Sequence, residues 1–163
     1  GEGVFCLCED LKRVVLPERL TYLSEGMFSC CHSLEVVKLP RNLKLIKQFA
    51  FSTCKALKHI DLPEGLQEIQ MGAFTDTALE TLTLPEGLQK IGKGAIDNCP
   101  LTTLYVKTTK ISLKKLIEAF GNSIIKNPKI TIYLRKELKW REKEYYNQLK
   151  ERDIRNIKLV FNL

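Results

Sequence analysis

The sequence predicts an α/β solenoid: short parallel β-strands stacked unit upon unit, with a helix-containing segment closing the C-terminal end. Three observations predict it. Leucine returns at a nearly fixed spacing through roughly the first two thirds of the 163 residues, the signature of a chain built from copies of one supersecondary unit. A proline closes the apolar strand of four successive units, where its missing N–H ends a ladder. Near residue 106 the period stops and the balance of charge reverses.

The units align on Leu11, Leu34, Leu57, Leu79 and Leu101, at spacings of 23, 23, 22 and 22. Three residues on stand Val14, Val37, Ile60, Leu82 and Leu104, and two further on Leu16, Leu39, Leu62, Leu84 and Val106. "LEVVKL" and "LETLTL" read as strands that alternate toward their second half. Pro17, Pro40, Pro63 and Pro85 follow, and the fifth unit has Lys107 instead, so the regular repeat ends there. "LPEG" fits a tight turn with proline second and glycine fourth. Asn42 replaces the glycine in the second unit and tolerates left-handed geometry; Arg19 in the first is a poorer fit and predicts a different turn. A second short extended piece comes next ("LQEI"), carrying Leu20, Leu43, Leu66, Leu88 and then Leu23, Ile46, Ile69, Ile91. A corner of small residues ("GAF") ends on Phe28, Phe51, Phe74 and Ile96.

One unit buries too few side chains to offset the ordering of its own backbone, so at least about three must stack. "GEGVFCLCEDL" lies on "SEGMFSCCHSL" without a gap. The chain therefore opens in mid-unit, which predicts further units or a leader upstream. A composition of 44% hydrophobic and 28% charged residues fits a folded domain, and no apolar run approaches the roughly 18 residues of a membrane span.

The pattern of Leu, two residues, Ile or Val, one residue, Leu-Pro, then "GLQEI", "GAF" and a Cys ahead of the next Leu resembles the BspA-like leucine-rich repeats over about residues 2–106. The resemblance implies a leucine-rich-repeat solenoid with parallel strands on its concave side. It implies a bacterial secreted or cell-surface protein that binds proteins or host surfaces, with no shared catalytic residues to carry over. Thr77, where the Cys is missing, and all of residues 107–163 depart from the pattern.

Two segments follow: repeats over 1–106 and a basic capping segment over 107–163. The first carries 11 Lys and Arg against 13 Asp and Glu, a balance of −2; the second carries 15 against 6, a balance of +9. In the second, "SLKKLIEAFG" places Leu113, Leu116, Ile117 and Phe120 at helical spacing, with Ser112 as N-cap and Gly121 as stop. "ITIYL" and "IKLVFNL" alternate as strands, and residues 136–152 read as one charged helix in which Glu137 pairs with Arg141. The two strands continue the sheet, each preceded by a helix in place of the second extended piece. Lys136, Lys139, Trp140, Arg141, Lys143, Tyr145 and Tyr146 mix cations with aromatics, as polyanion surfaces do; Glu137, Glu142 and Glu144 interrupt that face and favour a solvated cap.

Cys8, Cys31, Cys54 and Cys99 occupy one place in successive units, and parallel stacking holds their Cβ atoms too far apart for disulfides, which predicts reduced thiols. Cys6 and Cys30 lie beside this column. A zinc site from Cys6, Cys8, Cys30, Cys31 and His32 would need a tetrahedral geometry that breaks the stack, so neither metal nor cofactor is expected. "GKG" at 92–94 lacks the spacing of a phosphate loop, "GxSxG" and "HExxH" are missing, and His59 has no partner in sequence that would make it a general base. The expectation is a non-catalytic recognition or adhesion module. Its surface is the strand face, displaying Arg13, Val36, His59, Thr81 and Thr103 in one column and Val15, Lys38, Asp61, Thr83 and Tyr105 in the other. The partner is an unspecified protein or host-surface ligand. The alternative is a polyanion or nucleic acid held by residues 107–163, with loss of binding in salt.

Overall fold

The computed structural model describes residues 2–121, 124 and 129–163. The cap expected over 107–163 is thus described except for 122–123 and 125–128, and Gly1 also lies outside the described residues.

Each repeat contributes three sides of a coil. On the first are β1 (Arg13–Val15), β3 (Val36–Lys38), β6 (Thr81–Leu84) and β8 (Thr103–Val106); on the second are β2 (Tyr22–Leu23), β4 (Leu45–Ile46), β5 (Glu68–Ile69) and β7 (Lys90–Ile91). The third side is the corner, a row of turns. All strand pairs are parallel, as stacked copies require. The alternation of the strands sends Val37, Ile60, Leu82 and Leu104 inward to the core and leaves their neighbours outward. Leu34, Leu57, Leu79 and Leu101 are wholly buried, as are Leu23, Ile46 and Ile69 on the second side.

At the corner Phe5, Phe28, Phe51 and Phe74 stack in file, ring centroids 5.3 Å apart and planes within 9°. The backbone repeats there as well. Phe28 N–H donates to Ala50, Phe51 N–H to Ala73 and Phe74 N–H to Ala95, each at 2.8 Å. Every corner needs a residue at positive φ four places before a second one: Gly26 and Cys30, Phe49 and Thr53, Gly72 and Asp76, Gly94 and Asn98. Glycine suits the first place because it has no Cβ to clash in the left-handed region. Phe49 (φ 54°) occupies it in one unit, and its ring lies where a Cβ on Gly72 would be.

The strand-closing turns differ from expectation in register. Leu20, Leu43, Leu66 and Leu88 donate to Pro17, Pro40, Pro63 and Pro85, so proline stands first in the turn, not second. Gly65 and Gly87 are not left-handed. A Cβ on Gly87 would meet the Glu64 carbonyl, so close stacking selects glycine there. With no positive φ to satisfy, Arg19 makes the same turn as the other units, contrary to expectation.

The C-terminal elements are α1 (Leu113–Phe120), β9 (Ile130–Leu134), a 3-10 helix (Lys136–Arg141), α2 (Glu142–Glu151) and β10 (Ile157–Phe161). Sheet order β10-β9-β8-β6, all parallel, continues the first side. Ser112 caps α1 by accepting from the Lys115 N–H, and Gly121 at φ 61° stops it. The carbonyls of Glu118 and Ala119 accept from Gly94 and Ile96 at 2.9 Å. The helix end thereby takes over the corner row as well as standing in for an extended piece. The single helix expected over 136–152 divides instead into the 3-10 and α segments, and Glu137 pairs with Arg135, not Arg141, which bonds Glu144. In the 3-10 geometry residues four apart are no longer aligned, so that pairing is lost.

Candidate recognition surface

The outward columns form in register over two stretches. Arg13 lies beside Val36 and Val15 beside Lys38; Thr81 lies beside Thr103 and Thr83 beside Tyr105. Thr131 and Tyr133 then extend the second stretch, and Lys158 and Val160 follow on β10. Sequence reasoning ended the columns at the last periodic unit and missed these four, although "ITIYL" and "IKLVFNL" had been read as strands of the same sheet.

Between the two stretches the ladder parts. Residues 58–61, the strand position of the third unit, form no strand, and β3 and β6 have no strand bonded between them. Among the described residues no backbone hydrogen bond involves the N–H or C=O groups of residues 58–62. The second side has no such gap: β2, β4, β5 and β7 are one sheet. The parting falls where the spacing changes from 23 to 22. Two residues separate the corner Cys from the strand Leu in "CHSL" and "CKAL", and only one does in "TAL" and "CPL". The third unit and β6 are thus entered by connectors of unequal length, while β3 and the third unit, whose connectors are equal, part as well.

His59 and Asp61 therefore stand together on the opened segment, not as rungs of a ladder. Their side chains bond each other, His59 Nε2 to Asp61 Oδ1 at 2.8 Å, and both are largely exposed. The opening is a cleft of about 340 Å³, bounded by His59, Asp61, Thr81, Thr83, Tyr105 and Lys107. Lys107 Nζ reaches Glu64 Oε1 at 2.5 Å across 43 residues, and its hydrogen bond holds the Glu64 carboxyl below the usual carboxylate range. Tyr105 and Tyr133 stack at 4.8 Å with their planes 19° apart. A larger, open depression of about 510 Å³ lies across the molecule beside β5, β7 and the start of α1. Its rim is mainly long Gln and Lys side chains, without an aromatic platform.

The cysteine column is structural. Cys31, Cys54 and Cys99 donate their thiols to the carbonyls of Phe5, Phe28 and Phe74 at 3.0–3.1 Å. Burial pushes the Cys54 thiol up to about 12 and the Cys99 thiol up to about 11, and raises Cys31 as well. A thiol held protonated is a poor nucleophile and ligand. Thr77 fills the missing place by donating to the Phe74 carbonyl and meeting Cys99 Sγ at 3.2 Å. All six cysteines are free; Cys8, expected in the buried column, is exposed because no unit lies over it among the described residues. Among those residues no three His, Cys, Asp or Glu side chains are placed to hold a metal ion.

Besides Lys107, five of the 15 cations of the basic segment pair, among the described residues, with carboxylates there or on the repeats. Lys115 pairs with Glu118, Lys139 with Glu142, Arg141 with Glu144, Arg155 with Asp153, and Arg135 with both Glu137 and Glu86. Trp140 is 77% exposed, with the Arg141 guanidinium 5.1 Å above its ring. Tyr145 turns inward.

Stacked parallel units, an apolar interior and a variable outward face define a solenoid repeat protein. The chain belongs to the BspA type leucine rich repeat region family, whose pattern matches residues 1–127 in six copies. Proteins built of such repeats are generally interaction modules and generally non-catalytic. Among solved structures the chain is similar to the leucine rich repeat protein of T. pallidum, at 31% identity and a TM-score of 0.62 over 64% of this chain and 50% of that one. It shares its fold with the pneumococcal vaccine antigen PcpA (18% identity, TM-score 0.66, 93% of this chain and 42% of that one). It also shares it with a leucine-rich repeat protein from Bacteroides ovatus (22%, 0.60, 82% and 36%). The chain spans about a third to a half of the length of these proteins. No curated protein matches it. Among the described residues no helix is long and apolar enough to cross a membrane.

Proposed function

We propose that this chain is a non-catalytic protein-recognition or adhesion module of a bacterial surface or secreted protein, binding through its strand face. In this reading residues 1–106 display the partner-binding columns and residues 107–163 cap the stack while adding two strands to the same face. The observation that carries it is the division of labour along each strand. Inward positions repeat the same apolar types, while outward ones change from Arg13 and Val36 to Thr81 and Thr103 at register-matched sites. Interior repetition serves packing; exterior variation on a rigid scaffold serves recognition. The pneumococcal relative is described as a vaccine antigen, which suits display at a cell surface. Glu137, Glu142 and Glu144 interrupt the positive face of the basic segment, which favours a solvated cap there over polyanion binding. Among the described residues no nucleophile and base are brought together on either face, which is in keeping with a non-catalytic role.

The test is capture of surface proteins by the immobilised chain, followed by titration of the purified partner against wild type and the double variant Lys38→Glu/Asp61→Lys. Loss of binding by the variant with an unchanged melting profile is the expected result. Equal affinity counts against this face. Loss of binding only on removal of residues 107–163, with steep salt dependence, supports the polyanion reading instead.

A further inference from the structure

We infer that the cleft where the strand face parts is a binding site for a neutral carbohydrate. The site stands independently of the protein-recognition reading.

The strands flanking the cleft differ chemically, and Lys158 and Val160 of β10 close the face beyond them. Before the cleft the outward side chains of β1 and β3 are Arg13, Val15, Val36 and Lys38, two cations and two aliphatics. Beyond it, on β6, β8 and β9, every outward side chain carries a hydroxyl. Thr81, Thr103 and Thr131 form one row, and Thr83, Tyr105 and Tyr133 the other. These six groups form an uncharged grid at the strand spacing of about 4.8 Å. Each hydroxyl both donates and accepts, which matches a polyhydroxylated ligand.

The cleft adds a platform and fixed acceptors. Tyr133 covers one face of Tyr105, so the other is turned toward Thr83 and the cleft that Tyr105 lines. An aromatic face of this kind packs against the apolar C–H side of a sugar ring. Two rim groups already have partners, Asp61 hydrogen-bonded to His59 and Lys107 paired with Glu64. The second oxygen of Asp61 and the unpaired backbone groups of residues 58–62 add further acceptors and donors. A volume of about 340 Å³ lies at the lower end of small-ligand sites.

The experiment presents the full chain to an array of immobilised neutral and anionic oligosaccharides, then titrates the best neutral one in solution. Retention of a neutral oligosaccharide is expected, unchanged in about 0.5 M salt, where charge contacts are screened. Tyr105→Ala should weaken it by about tenfold and Tyr105→Phe by no more than about threefold, since the ring and not its hydroxyl forms the platform. Lys90→Gln, on β7 of the second side, should leave affinity unchanged. The site is overturned if no neutral oligosaccharide binds at millimolar concentration, if only anionic ones bind and salt releases them, or if Tyr105→Ala has no effect.

Discussion

Two strand ladders climb the same stack, and only one is unbroken. The two-residue strands β2, β4, β5 and β7 join every regular unit, while the longer strands of the opposite side part at residues 58–61. Length therefore does not decide which ladder holds. What differs is the neighbourhood: β2, β4, β5 and β7 lie next to the corner, where phenylalanines stack and each unit bonds the next through its backbone. The strand side is entered by the connector whose length changes in mid-stack. The lesson is that the corner holds the solenoid together, which frees the strand face to open and to vary.

That comparison can be broken from either side. The largest expected effect is at the corner. Phe51→Ala removes a wholly buried ring between two others and should cost about 3–5 kcal/mol in urea unfolding. A cost as small as that of a surface change would show that the corner is not the spine.

The second effect is on pH. Above the ordinary thiol value of 9.0, the unfolded chain releases the protons of Cys54 and Cys99 while the folded chain keeps them, up to about 12 and about 11. Stability is full below pH 9 and falls as pH rises; at about pH 10 each thiol removes about 1.4 kcal/mol. The Cys54→Ala/Cys99→Ala variant should lose this alkaline slope, measured by urea midpoints across pH, even if it starts less stable.

The third is Gly72→Ala, which forces a left-handed Cβ against the Phe49 ring and should cost about 2 kcal/mol. Adding Phe49→Gly should recover about 1 kcal/mol of that by a double-mutant cycle, because the two positions meet. Additive costs would mean that the ring is not in the way.

The smallest effects belong to the parted face. His59→Ala and Lys107→Gln should each shift stability by less than about 1 kcal/mol, since both ion pairs are exposed. A loss of several kcal/mol from either would mean that the cleft residues hold the stack together, reversing the comparison.

The repeat was legible because burial acts identically on every copy: Leu34, Leu57, Leu79 and Leu101 recur for one physical reason and appear as a period. Ser112 and Gly121 were legible because capping is local. The turn register was not, because Gly65 and Gly87 answer to a neighbouring unit's backbone and not to their own φ. The same holds for Glu137, whose partner depends on a 3-10 segment that helical spacing does not reveal. On the candidate site, the columns followed from alternation, and each register-matched pair on β1, β3, β6 and β8 was foreseen. The parting at His59 and Asp61 was not, though its one trace, the step from 23 to 22, lay in the spacing itself.

The most direct test of the parted strand face is amide hydrogen exchange on the intact chain. The backbone N–H groups of Ile60 and Asp61 should exchange at least about a hundredfold faster than those of Val36, Leu82, Ile46 and Ile69, since only the latter lie in bonded ladders. Equal protection at all six positions would show the ladder closed through the third unit and would contradict the account.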